Sequence, residues 1–124
     1  MGSAINVILN NSEGENLMTQ AEKEKVLSVK ELIDYQDGAI VSRGIIGEKF
    51  GKVLIFAFDK GEELSDHTSP YDALAYIIEG ETEISVRGKR SSLTEGQAII
   101  MPANIPHAVY PKNKLKMLLV LIKE

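Results

Sequence analysis

From residue 39 onward, apolar and polar positions alternate in short runs that glycine and proline interrupt. The clearest run starts at Thr82. Thr82, Ile84 and Val86 share one side with a period of two, and Glu83, Ser85 and Arg87 share the other. This alternation predicts an antiparallel strand with one covered face and one open face. The same reasoning predicts strands over 39–46, 52–59, 73–79, 82–87, 89–93, 98–101, 107–110 and 115–123. Gly47, Gly51, Gly61, Gly80, Gly88, Gly96, Pro102, Pro106 and Pro111 punctuate them. Many short strands with regular turn signals predict an all-β sandwich or barrel. No helical periodicity lies between them, which disfavours a parallel βαβ sheet. The runs 53–58 and 74–78 are apolar on both faces. A small barrel with strands covered on both sides needs extra cover. The N-terminal arm or a second subunit is the simplest source, so a homodimer is expected.

The first 25 residues read differently, as an N-terminal arm ahead of a β-barrel domain spanning 26–124. Ile5, Val7, Ile8 and Leu9 predict an added strand, and the polar stretch 10–16 predicts a loop. Thr19 with Glu22 three residues on offers a capping signal for a helical turn over 18–25. Val29, Leu32 and Ile33 predict another short helical turn.

Composition narrows the function classes. The chain has 124 residues, enough for one domain with a real core. It has no cysteine, so disulfides, thiolate catalysis and cysteine-bound zinc are excluded. That usage fits a reducing, cytoplasmic compartment. The net charge is −4 and no basic patch stands out, so a nucleic-acid partner is not expected. The lysines of 112–116 read as a solvated turn. No run approaches the roughly 18 apolar residues of a membrane span, and no secretory signal pattern opens the chain.

The chain's two histidines are its main candidate chemistry. His67 lies six residues after Gly61, with Ser69 and Ala73 following and Gly80 closing the segment. His107 lies eleven residues after Gly96, with Pro102 and Asn104 between. These spacings resemble the two cupin motifs, G-x5-H-x-H-x3-E-x6-G and G-x5-P-x-G-x2-H, across roughly residues 38–123. The resemblance is to the small single-domain cupins. It implies a double-stranded β-helix, the RmlC-like jelly-roll barrel, with a short N-terminal arm or helical turn. It also implies that His67 and His107 occupy the first and last positions of a four-residue metal site. Ser69 stands where the second histidine would be, Ala73 where the glutamate would be, and Asn104 replaces the glycine of the second motif. Asparagine still tolerates the left-handed turn conformation.

Three readings of the pair follow. Two imidazoles with waters, Asp72 or a ligand carboxylate would make an open site for zinc, nickel, manganese or iron. Without a metal, they would hydrogen-bond a polar or acidic small molecule. Otherwise they are inherited and satisfied by neighbours in a barrel without a ligand. Asp72 would act as a base or orient His67, or be a plain turn residue, or hold the loop together and do both jobs. Strand parity points it away from Ala73 unless a bulge re-aims it. Ser69, Asp72, Met101 and Phe56 are the expected pocket residues. Glu62, Glu63 and Asp66 are expected to face solvent. A small-molecule-binding cupin is the leading function. A metal-dependent dioxygenase, isomerase or decarboxylase acting on a small acid, and a structural or interaction barrel, are the alternatives.

Overall fold

The computed structural model describes residues 7–9 and 20–123. Ten strands and one 3-10 turn form two sheets. The strands are β1 (Val7–Leu9), β2 (Ile40–Glu48), β3 (Gly51–Phe58), β4 (Leu64–His67), β5 (Asp72–Glu79), β6 (Thr82–Val86), β7 (Lys89–Leu93), β8 (Ala98–Met101), β9 (His107–Pro111) and β10 (Leu115–Ile122). The larger sheet runs β1-β2-β3-β10-β5-β8 and the smaller β4-β9-β6-β7. Apart from β1, which pairs parallel with β2, every ladder is antiparallel. The turn-punctuated strand pattern implied a sandwich or barrel, and the arrangement is the jelly-roll barrel that the motif resemblance implied. Strand β4 was not anticipated. Ser65, Asp66 and His67 are all exposed, so no apolar face marks it. No described helix is long and apolar enough to cross a membrane.

The two sheets face each other across one core. Phe58, Ala73, Ala75, Ile77, Met101, Leu115, Met117 and Leu121 come from the larger sheet, and Ile84, Leu93 and Val109 from the smaller. Their period of two along each strand is what turns them all inward. Each large apolar side chain buried this way contributes about 1.5–3 kcal/mol. Ser85 is buried at 6% exposure although it lies on the polar side of β6. Its register partners Ala108 and Arg90 flank it on both sides, which narrows the open face.

The second apolar face of β3 is covered from within the chain. Val29–Leu32 forms the 3-10 turn, matching the expected short helical turn. Ile33, with Val29, Leu32 and Tyr35, packs on Val41, Ile55 and Ala57. Two cations from the sheet fasten this cover. Arg43 Nη1 donates to Leu32 O at 2.9 Å, and Lys116 Nζ donates to Lys30 O at 2.6 Å. These bonds satisfy carbonyls that a short helical turn leaves orphaned. Lys116 is therefore no part of a solvated turn: it is buried on β10 with its ammonium 5.2 Å from the Tyr35 ring centroid. The expected helical turn over 18–25 is corrected in its described part. Residues 23–24 make a turn, with Glu24 at φ +68, and no helix forms over 20–25. Residues 5, 10–16, Met18 and Thr19 fall outside the described residues.

Gly80 closes β5 at φ +98, and a Cβ there would collide with the Lys114 carbonyl oxygen. Both the backbone conformation and the space demand glycine. Gly80→Ala is expected to destabilise the fold by at least about 2 kcal/mol, read from urea denaturation. A loss below about 0.5 kcal/mol, the scatter of neutral surface changes, would contradict this account of the β5–β6 turn.

Candidate functional site

His67 ends β4 and His107 begins β9. The two are direct register partners in the β4–β9 ladder. Leu64 pairs with Val109, two positions further along β9, while Leu64 and His67 lie three positions apart on β4. The extra residue is a β-bulge. Without it, residues three apart on a strand would point to opposite faces. The bulge restores His67 to the face that carries Leu64 and the buried His107. The ring centroids lie 4.3 Å apart, with the planes at 69°.

Each ring is oriented in the same way. Nδ1 of His67 lies 2.8 Å from Ser65 O, and Nδ1 of His107 lies 3.0 Å from Ile105 O. A carbonyl oxygen only accepts, so each Nδ1 must carry the proton in these bonds. Each Nε2 of a neutral ring is then left with a free lone pair. That arrangement also orients imidazoles that bind metals. His107 is 5% exposed. Burial holds its pKa below the ordinary value, and the neighbouring His67 pushes in the same direction; the Ile105 carbonyl and Asp66 oppose the shift.

The loops after β4 and β8 are tied to each other. Asn104 N donates to Ser69 O at 2.7 Å, and Ala103 N donates to Asp72 Oδ1 at 2.8 Å. Asn104 adopts the left-handed conformation at φ +62. Asp72 thus follows ordinary strand parity: it is exposed and bonded to the backbone of the second motif, while Ala73 beside it is buried. Its carboxylate thus bonds the loop after β8 and not its own turn, which Ser69 holds. Ser69 Oγ accepts from Tyr71 N at 3.1 Å, inside its own turn. Ala73 faces the core opposite its register partner Met101, so a methyl group occupies the position of the family glutamate. Met101 is buried core, and Phe56 is half-buried with its ring 6.2 Å from that of Phe58. Glu63 and Asp66 face solvent as expected, whereas Glu62 is half-buried. Among the described residues, no three His, Asp or Glu side chains gather as a metal-ligand cluster. The structure therefore brings His67 and His107 together and leaves Asp72 on the opposite face of the sheet from Ala73.

A cupin-domain family model matches residues 54–122. The chain belongs to the cupin family. This cupin is 34% identical to a conserved protein of unknown function from Streptococcus pyogenes, over 86% of this chain and 94% of that one, with a TM-score of 0.79. It is 39% identical to a cupin 2 conserved barrel domain protein from Leptotrichia buccalis, over 78% of this chain and 47% of that one, with a TM-score of 0.74. A cupin superfamily protein from Desulfitobacterium hafniense, at 23% identity and a TM-score of 0.78, shares the fold over 86% of this chain and 98% of its own. No curated protein matches the sequence.

Sequence reasoning missed the other neighbour of His107. Val86 is its register partner on β6, and Lys89 is the partner of Val86 on β7. His67, His107, Val86 and Lys89 thus form one cross-strand row on one face of the smaller sheet. Alternation showed which side Val86 took, but not which strand lay beside it.

The His107 shift has a stability consequence. Its folded pKa lies below the ordinary 6.5, so the unfolded chain binds a proton that the folded chain refuses. Stability is complete above the unfolded value and falls as pH drops from it toward the folded value. In EDTA, the urea midpoint is expected to be lower at pH 5.5 than at pH 7.5, and His107→Asn is expected to reduce the difference. Equal wild-type midpoints at the two pH values would count against a disfavoured His107 imidazolium.

Proposed function

We propose that this cupin binds a small polar or acidic molecule at His67 and His107, either through a divalent transition metal that the two imidazoles share or by direct hydrogen bonds. One observation carries the reading. The chain's two histidines are register partners, and each spends its Nδ1 proton on a backbone carbonyl. Two acceptor nitrogens are thereby prepared side by side, one on a buried ring and one at the surface.

The donor set fits a metal only in part. Imidazole suits nickel, zinc and iron, but two protein ligands leave most of the coordination shell to water or to the bound molecule. The ring centroids lie 4.3 Å apart, close enough for the two rings to share one ion. When bound, such an ion would act as a Lewis acid toward a ligand oxygen. The chain's own contribution is to hold both rings in one tautomer and to keep His107 neutral. The missing third and fourth ligands favour a binding protein over the dioxygenase, isomerase or decarboxylase alternative.

Elemental analysis after incubation with nickel, manganese, iron or zinc tests the metal. About one ion per chain is expected in the wild type, and at most about a tenth of that in His67→Ala and in His107→Ala. An empty wild type would remove the metal and leave direct hydrogen bonding as the only binding mode. Full occupancy in the double variant His67→Ala/His107→Ala would contradict the site.

We propose further that the chain pairs with a second copy through the outer face of β3, β10, β5 and β8. Val53, Val120, Leu74 and Ile100 form an apolar cross-strand row there, with Ile122 and Tyr76 beside it. Ile100 is 66% and Ile122 58% exposed. Strand spacing makes this strip roughly 300 Å², within the range at which apolar patches mark contacts. Two such strips bury about 600 Å², less than a stable interface needs. Ile46 and Phe50, both exposed at the β2–β3 hairpin, would have to extend it, and dissociation in the micromolar range is expected. Sedimentation of Ile100→Glu/Ile122→Glu as monomer at concentrations where the wild type is dimeric is the expected outcome. A wild type that stays monomeric throughout would reject the assembly.

A further inference from the structure

The barrel wall has a slot. Strand β7 ends the smaller sheet and β8 ends the larger one, and no ladder joins them among the described residues. An open cleft of about 390 Å³ lies there, lined by Val86, Arg87, Lys89 and Ser91 on one side and by Ile99, Ile100 and Pro102 on the other. Neither histidine lines it, but its wall residue Val86 is the register partner of His107. Directly opposed residues of antiparallel strands point to one face, so Lys89 emerges on the face that carries His107. Two strand spacings put their Cα atoms about 10 Å apart. Val86 sits between them.

Lys89 and Arg90 lie on opposite faces of the β6–β7 hairpin, and Arg87 sits in the turn between its strands. Arg90 lies on the opposite face, where it pairs with Glu83 at 2.9 Å and stacks 4.1 Å from the Tyr110 ring centroid. Arg87 and Lys89 make no ion pair among the described residues. Arg87 is also held against its own preference. It takes the first position of a two-residue turn at φ +56, with Gly88 at φ +81. Asparagine, aspartate or glycine serve that position at less cost. The Arg87 N–H donates to Pro106 O at 2.8 Å, which ties the hairpin tip to the residue before His107. A strained cation beside an open cleft, anchored to the candidate site, is a feature expected of ligand binding.

We propose that this slot is the acid end of the ligand site: Lys89 and Arg87 receive the carboxylate of a small aliphatic acid whose other polar end reaches His67 and His107. This rests on the reading of the histidines as a ligand site and names the ligand class. The apolar walls Val86, Ile99 and Pro102 suit the hydrocarbon link of such an acid. Inorganic phosphate, polar on every side, gains nothing from them.

Titration of ¹⁵N-labelled full-length protein with succinate, against sodium chloride at equal ionic strength, tests the proposal. Saturable millimolar binding is expected, shifting the Gly88, Lys89 and Ser91 amides and the His107 ring together. Arg87→Gln/Lys89→Gln is expected to weaken it at least tenfold, while Lys23→Gln/Lys25→Gln, on an exposed distant turn, leaves it unchanged. Arg87→Gly keeps the variant interpretable if the double substitution folds poorly. It relieves the positive φ, so it is expected to raise the melting temperature while weakening succinate. No succinate binding in the wild type, undiminished binding in Arg87→Gln/Lys89→Gln, or phosphate binding more tightly than succinate would each overturn the proposal. Succinate that shifts His107 equally with or without the two cations, and is lost in His67→Ala/His107→Ala, would overturn this subsite and leave the histidine reading standing. Binding that survives loss of both histidines would sink that reading instead.

Discussion

Strand β9 is the constraint on which the rest of the site depends. It is paired on one side with β4 and on the other with β6, so its register decides what stands beside His107. A slip of one residue would turn His107 out of the barrel and Ala108 in. The core prevents that slip. Val109 is buried two residues along, with Leu64 on one side and Ile84 on the other. The same packing that stabilises the smaller sheet therefore sets His67, His107, Val86 and Lys89 in one line. Chemistry and stability share one register here, and substitutions at Val109 or Ile84 act on both.

The site is built from backbone bonds more than from side chains. Ser65 O and Ile105 O fix the two imidazoles, and Ser69 O, Asp72 and the Pro106 carbonyl tie three loops into one rim. Few residues of that rim are good metal ligands. The positions that the family motif gives to a second histidine and a glutamate hold a serine turned into its own loop and an alanine packed opposite Met101. The chain thus carries residues of the family's ligand type at two of the four motif positions, His67 and His107.

Most strands and their breaks were legible because period-two burial and glycine or proline turns are local signals, and the jelly-roll class followed from the motif spacing around His67 and His107. Parity correctly turned Asp72 away from Ala73, although it could not choose among the roles that Asp72 might play. Strand β4 was hidden because its polar, exposed residues carry no burial pattern; its place comes from pairing with β9. Lys116 misled, since a lysine in a charged run reads as solvated until its stem and ammonium find Tyr35 and Lys30 O. The cover over β3 was anticipated, but residues 29–35 supply it on the Ile55 side. The row through Lys89 was illegible because cross-strand neighbours belong to tertiary register, which no local pattern states.

The central claim is that both imidazoles are held with Nδ1 protonated and Nε2 free. Long-range ¹H–¹⁵N correlation of the two histidine rings at pH 7.5, in metal-free buffer, reads this directly. The account predicts the Nδ1–H tautomer for the neutral form of both rings, opposite to the form that free histidine favours in water. An Nε2–H tautomer at either ring would leave fewer than two acceptor nitrogens and contradict the site.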